Sequence, residues 1–149
     1  MIKIVGPDSL RFVSKSITFT GAANLGAVGN VPLFTTTGEV WLVTITPFIV
    51  LTLNPAIAGA TITLGVTNAT TLFTGAATTA ANLVTGEFWT ETTGGGVANA
   101  GIALPATLKD IVISSNIVGT VATQAIDGGT LRVDIYYRPL SSDGLLSAE

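Results

Sequence analysis

From Val40 to Gly86 the chain carries no Asp, Glu, Lys, Arg or His. An uncharged stretch of that length has few physical outcomes. It crosses a membrane, or it lies in strands whose faces are covered or clothed in neutral polar groups. Its most apolar part, VWLVTITPFIVLTL over 40–53, separates the two. A spanning helix needs about 20 apolar residues; this run is shorter, contains Thr44, Thr46 and Thr52, and has Pro47 at its middle. Its β-branched and aromatic residues favour strands, and Pro47 marks a bend between two of them. The segment reads as strands over 40–46 and 48–53, buried on both faces, and not as a membrane span.

The rest of the chain is punctuated in the same style. Short apolar runs recur between Gly, Asn, Asp and Thr clusters, with 17 Gly and 6 Pro in 149 residues. Further strands are predicted over 16–20, 31–35, 60–67, 70–74, 87–92, 110–115, 119–123 and 130–137. Alternation is clearest in two of them. In TITLGVT, Ile62, Leu64 and Val66 share one face; in TLRVDIYY, Leu131, Val133, Ile135 and Tyr137 point one way and Thr130, Arg132, Asp134 and Tyr136 the other. Each of these strands is expected to have one buried and one wetter face. Asp127-Gly128-Gly129 is a turn signal, so 119–123 and 130–137 are expected to form a terminal hairpin. The Ala-rich stretch 75–84 reads as a loop with at most two helical turns, and 92–103 (TTGGGVANAGIA) as a long connection or exposed loop tip. Eight to ten short strands indicate an all-β fold. The expectation is a β-sandwich, a jelly roll of about eight strands in two antiparallel sheets, with an open Greek-key sandwich or small barrel as runner-up. The chain divides into an N-terminal arm (1–15), the sandwich (16–141) and a C-terminal tail (142–149).

Composition removes most chemistry. The chain has no Cys and no His, so thiolate and imidazole catalysis, disulfides and the usual zinc ligand sets are excluded. Six Lys and Arg against nine Asp and Glu give a net charge of −3, which leaves no footprint for nucleic acid. Glu87 and Glu91 could be posed as a glycosidase pair. Residues four apart on a strand lie about 13 Å from each other, too far for either glycosidase geometry. Asp127-Gly128-Gly129 lacks the alternating acids of a calcium loop, and Gly94-Gly95-Gly96 lacks the lysine and the strand–helix context of a phosphate loop. Asn68-Ala69-Thr70 matches a glycosylation sequon by form alone. The opening MIKIVGPDSLRF has no long apolar core of a secretory signal, so a cytosol-made protein is expected. Neither enzyme activity nor a cofactor or metal is expected.

Binding has more to offer. Trp41, inside the apolar run, reads as core. Trp89, between Glu87 and Glu91 and beside Phe88, reads either as core or as an exposed platform for a sugar or a subunit contact. Lys3, Arg11, Phe12 and Lys15 concentrate charge on the N-terminal arm, either as a solvated arm or as a tether to an acidic partner surface. A surface clothed in Thr, Ala and Gly costs little to desolvate and lacks the charges that keep exposed edges apart. The chain therefore reads as an assembly component whose largest faces are covered by copies of itself or by a partner.

The C-terminal stretch GTLRVDIYYRPLSSDGLL (129–146) contains a closing strand ending in Tyr-Arg-Pro-Leu-Ser (137–141). It resembles the closing strand of small structural proteins of tailed bacteriophages. The preceding TITLGVTNATTLF, the Ala/Thr loop and Gly-Glu-Phe-Trp (86–89) are similar too, so the resemblance spans 38–141. Among such proteins the chain looks most like capsid decoration (cement) proteins. That resemblance implies a homotrimer of sandwich domains on the capsid surface of the virion, clamping neighbouring copies of the major capsid protein. Within it, Lys3, Arg11, Phe12 and Lys15 are the expected capsid-contact arm. Trp89, Tyr136 and Arg138 are the expected subunit contact or glycan platform. The alternative is a tail-fibre, spike or baseplate module that binds host-surface glycan.

Overall fold

The alternation of TLRVDIYY is realised along a whole strand. A computed structural model describes residues 9–54, 58–90, 97–98 and 101–149. In it Leu131, Val133, Ile135 and Tyr137 are buried, while Thr130, Arg132, Asp134 and Tyr136 between them are not. The strands are β1 (Arg11–Thr18), β2 (Gly29–Thr37), β3 (Val40–Asn54), β4 (Thr61–Val66), β5 (Thr78–Thr79), β6 (Glu87–Phe88), β7 (Val97–Ala98), β8 (Lys109–Ile113), β9 (Ile117–Ala122), β10 (Gly128–Pro139) and β11 (Leu145–Ala148). Two single-turn 3-10 helices, Ala80–Asn82 and Ala106–Leu108, are the helical content among the described residues. None of these helices is long and apolar enough to cross a membrane.

The strands form two antiparallel sheets. The first has the order β1-β10-β3-β6-β7, with β8 also paired to β3; the second has the order β11-β2-β9-β4-β5. One buried cluster joins them, drawing Ile45, Ile49, Val133 and Ile135 from the first and Val31, Leu33, Ile62, Leu64 and Val121 from the second. The fold is an all-β sandwich. Successive long strands alternate between sheets: β1, β3, β8 and β10 belong to the first, β2, β4, β9 and β11 to the second.

This wiring overturns the predicted terminal hairpin. β9 pairs with β2 and β4, β10 with β1 and β3, and the residues between them cross from one sheet to the other. The crossover is pinned by Ile126, whose buried side chain and N–H bond to the Gly26 carbonyl (2.8 Å) fix its path. The glycine signal has a different cause. Gly129 has φ +99°, and a Cβ there would lie 2.4 Å from the Thr52 carbonyl oxygen, at an irregularity where β10 closes onto β3. The two Gly-adjacent strands looked like a hairpin because a bulge and a turn both need glycine.

β3 is one strand and not two. Pro47 sits at its centre, paired with Val133 of β10, and its carbonyl accepts the Trp89 N–H at 2.9 Å. The N and C=O of one strand residue point to the same side, so its missing N–H faces the seam where the neighbour of β3 changes from β8 (Thr44↔Lys109) to β6 (Phe48↔Phe88). A proline is tolerated there because neither neighbour requires that donor.

Both ends of the chain depart from expectation. Residues 11–15 are no arm: β1 pairs with β10 from Arg11↔Tyr137 to Thr18↔Thr130. Lys3 lies outside the described residues. Nor is 142–149 a tail, because β11 joins β2, Leu146 is buried, and the Tyr137 hydroxyl donates to the Leu146 carbonyl at 3.3 Å. The stretch 70–74 is a turn rather than a strand. It folds over β4 instead, where Phe73 N–H donates to the Leu64 carbonyl at 3.0 Å, so the expected wetter face of β4 is largely buried. The stretch 75–84 holds β5 and a single 3-10 turn. Most of 92–103, with Gly94, Gly95 and Gly96, lies outside the described residues.

Gly65 is where that covering segment comes closest: a Cβ there would meet the Ala69 carbonyl oxygen at 2.2 Å and the Thr70 carbonyl carbon at 2.4 Å. Gly119, on the neighbouring strand, would place its Cβ no nearer than 3.7 Å to any neighbour. Gly65→Ala is therefore expected to lower unfolding stability by about 1–3 kcal/mol, and Gly119→Ala by clearly less. Paired urea titrations measure the difference.

Candidate functional site: the outer face of the first sheet

Register places the outward side chains of the first sheet in rows. One row reads Phe12, Tyr136, Thr44; the next Ser14, Asp134, Thr46; the next Ser16, Arg132, Phe48, Phe88. Beyond Tyr136 the row is Arg138, Trp41, Val112. Between the last two rows of β10 the register skips Val43. That bulge shifts the phase of β3, so Leu42 stays in the core while Trp41 comes round beside Arg138. From Thr130 to Arg138 the face runs about 27 Å along β10, and its four strands span about 14 Å across.

The face is aromatic and partly wet. Phe12 and Tyr136 are 54% and 46% exposed, with ring centroids 5.0 Å apart and planes tilted by 48°. Val112 is 60% exposed, and Trp41 is half-buried. Lower down, the Arg132 guanidinium lies 5.0 Å from the Phe48 ring centroid, and Phe48 meets Phe88 edge-on at 5.1 Å. Arg132 Nε also donates to Asp134 Oδ2 at 2.9 Å, and Ser14 Oγ donates to Asp134 Oδ1. Aromatic and Arg side chains are the types enriched in interface cores.

Charge separates by sheet. β2, β4, β5, β9 and β11 contain no ionisable side chain. The first sheet's strands hold Arg11, Lys15, Lys109, Arg132 and Arg138 against Glu87, Asp110 and Asp134. These are all the basic residues among those described. The remaining described carboxylates, Glu39, Asp127, Asp143 and Glu149, lie in turns and at the chain end.

The sequence-derived site is thus partly assembled and partly dispersed. Phe12, Tyr136 and Arg138 share the face. Arg11 and Lys15 do not: they pair with Tyr137 and Val133 and so follow the inward alternation of β1. Lys15 lines a cleft of about 230 Å³ at the open margin with Ile17, Asn24, Leu25, Pro32 and Glu149. An inward-pointing cation on an edge strand obstructs pairing with another edge. Trp89 is fully buried, and its Nε1 donates to the Thr78 hydroxyl at 3.0 Å; it is core, not a platform. Trp41, read as core, belongs to the face. The signal that finds the face is an aromatic in the polar phase of an alternating strand, as Phe12 and Tyr136 both are.

No chain in the comparisons resembles this one. No protein family, no curated protein and no solved structure matches it. Its chemistry must be read from its own groups, and those among the described residues do not converge. The buried polar residues among those described are Thr63, Thr74 and Thr78, and no three His, Cys, Asp or Glu among them are placed to hold a metal. Glu87 caps a turn by accepting the Val84 N–H at 3.1 Å, and Glu91 lies outside the described residues.

The two aromatics offered by sequence should respond oppositely to truncation. Trp89→Ala is expected to cost about 3–5 kcal/mol of stability, whereas Phe12→Ser should change it by no more than about 1 kcal/mol. Urea denaturation followed by far-UV circular dichroism gives both values.

Proposed function

We propose that this chain is a structural assembly protein that decorates and stabilises a bacteriophage capsid, binding the major capsid protein as a homotrimer on the virion surface. The observation that carries the reading is the separation of roles on the sandwich: one sheet bears an exposed aromatic and cationic face, and the other has strands without ionisable groups. Such a molecule is suited to contact and not to turnover, since flat aromatic faces supply interface energy without any converging acid, base or metal ligand. The strand order β1-β10-β3-β8 against β2-β9-β4-β5 supports the jelly-roll reading of the fold. Of the three residues offered for a glycan platform in the alternative tail-module reading, Trp89 is buried against Thr78, while Tyr136 and Arg138 lie on the aromatic face.

Electron cryomicroscopy of the source particle tests the reading. Density for an all-β sandwich with this strand order on the outer capsid surface, in threefold clusters between major capsid subunits, is the expected result. Density in the tail, or none on the particle, would remove the capsid assignment.

A further inference from the structure

We propose that the open edge of β1 accepts an extended segment of another protein as a further antiparallel strand, one that brings a carboxylate onto Lys15. The surface is distinct from the aromatic face, and the proposal stands whether or not the partner is a capsid subunit.

β1 is the end strand of the first sheet, as β11 is of the second, and among the described residues β1 pairs with β10 alone. The register of that pair is constant from Arg11↔Tyr137 to Thr18↔Thr130. It is prolonged by the Phe19 N–H, which donates to the Gly129 carbonyl at 2.9 Å. Backbone groups of successive strand residues point to alternate sides. The odd-numbered residues therefore bond to β10, and the N–H and C=O groups of Phe12, Ser14, Ser16 and Thr18 face away from the sheet. None of these groups has a backbone partner among the described residues. Such a row is a template for another strand.

What the edge selects is set by the residues in between. Val13 packs against the core and Ile17 is buried. Lys15 and Ile17 line a cleft of about 230 Å³ with Asn24, Leu25, Pro32 and Glu149. Small-molecule sites occupy about 300–1,000 Å³; this cleft is of a size for side chains. Lys15 has no ion pair in it: the ion pair among the described residues is Arg132–Asp134, and the Glu149 carboxylate accepts the Thr35 hydroxyl instead. Covering an inward cation without a counter-charge is costly. A strand laid on β1 covers Lys15, so it is admitted only with a carboxylate at that position.

A second β1 does not supply one. Its inward row, Arg11, Val13, Lys15 and Ile17, holds no acid, so every antiparallel pairing that keeps the inward rows in phase sets a covered Lys15 against a cation or an aliphatic residue. The segment that fits, read from its N-terminus, is aliphatic-x-acid-x-aliphatic, opposite Ile17, Lys15 and Val13 in turn. This chain has that pattern once, at Leu108, Asp110 and Val112. There Leu108 is in the core and Val112 on the outer face beside Trp41, out of phase with Lys15. The occupant therefore comes from a different protein.

Isothermal titration of the full chain with the capped peptide Thr-Ile-Thr-Asp-Thr-Val-Thr, and with the same peptide carrying Lys in place of Asp, tests the proposal. The Asp peptide should bind about tenfold more tightly and protect the amides of Phe12, Ser14, Ser16 and Thr18 from hydrogen exchange. Lys15→Glu should reverse the preference. Ser16→Pro, which removes an outward N–H, should abolish binding of either peptide. Thermal unfolding of each variant controls for loss of fold, and the comparison of the two peptides on the native chain needs no variant. No binding of the Asp peptide, equal binding of both, an unchanged preference in Lys15→Glu, or protection at other amides would each overturn the proposal. So would light scattering in which the native chain assembles and Ser16→Pro does not, because a second copy would then hold the edge.

Discussion

β3 and β10, the two longest strands, lie side by side through the middle of the first sheet, in register from Pro139↔Val40 to Gly128↔Asn54. Everything else is attached to that ladder. β1 adds along the far side of β10, β8 and β6 share the far side of β3, and the inward residues Leu42, Ile45, Ile49, Leu131, Val133 and Ile135 form the floor on which the second sheet packs. The irregularities in the ladder are as consequential as its length. The bulge at Val43 turns Trp41 outward, and the one near Gly129 bends β10 toward the crossover. A perfectly regular pair would have put Trp41 and Thr44 on opposite faces.

What the sequence made legible was local. Period-2 alternation named the buried and exposed sides of β10 correctly, residue by residue, and the class of fold followed. Pairing was not legible, because strands that exchange sheets at each step leave no trace in local pattern. Gly128-Gly129 looked like a hairpin turn, and Pro47 like a strand boundary; each is explained by a neighbour more than 30 residues away in sequence, Thr52 and Trp89 respectively. β11 was missed because its four residues show a strand pattern only when the edge of β2 is already there. At the site, Phe12, Tyr136 and Arg138 could be named in advance. Trp41 could not, since its direction depends on a single unpaired residue, and Trp89 depended on a buried threonine partner.

The separation of charge by sheet gives the low charge content a structural meaning. In a typical sandwich both outer faces carry Lys and Glu, which keep the molecule dispersed. Here the second sheet offers Asn30, Thr120 and Thr63 in one row, with the Thr120 hydroxyl donating to Asn30 Oδ1 at 3.0 Å, so polar groups are partly satisfied within the face. The first sheet holds the cations, and its one ion pair among the described residues, Arg132–Asp134, is itself laid across aromatic surface. Surface pairs of this kind add about 0–1 kcal/mol to stability.

The alternation of strands between sheets also sets a schedule. Arg11 is hydrogen-bonded into the sheet opposite Tyr137, 126 positions later. At about 5–20 residues per second of synthesis, β1 waits several seconds before β10, its strand partner among the described residues, exists, and β3 waits nearly as long for β10. A chain wired this way has high contact order and folds in milliseconds to seconds once complete. During the wait the apolar 40–53 run is exposed without a single charge to keep nascent copies apart. Its threonines, Pro47 and the flanking Glu39 then stand against premature pairing.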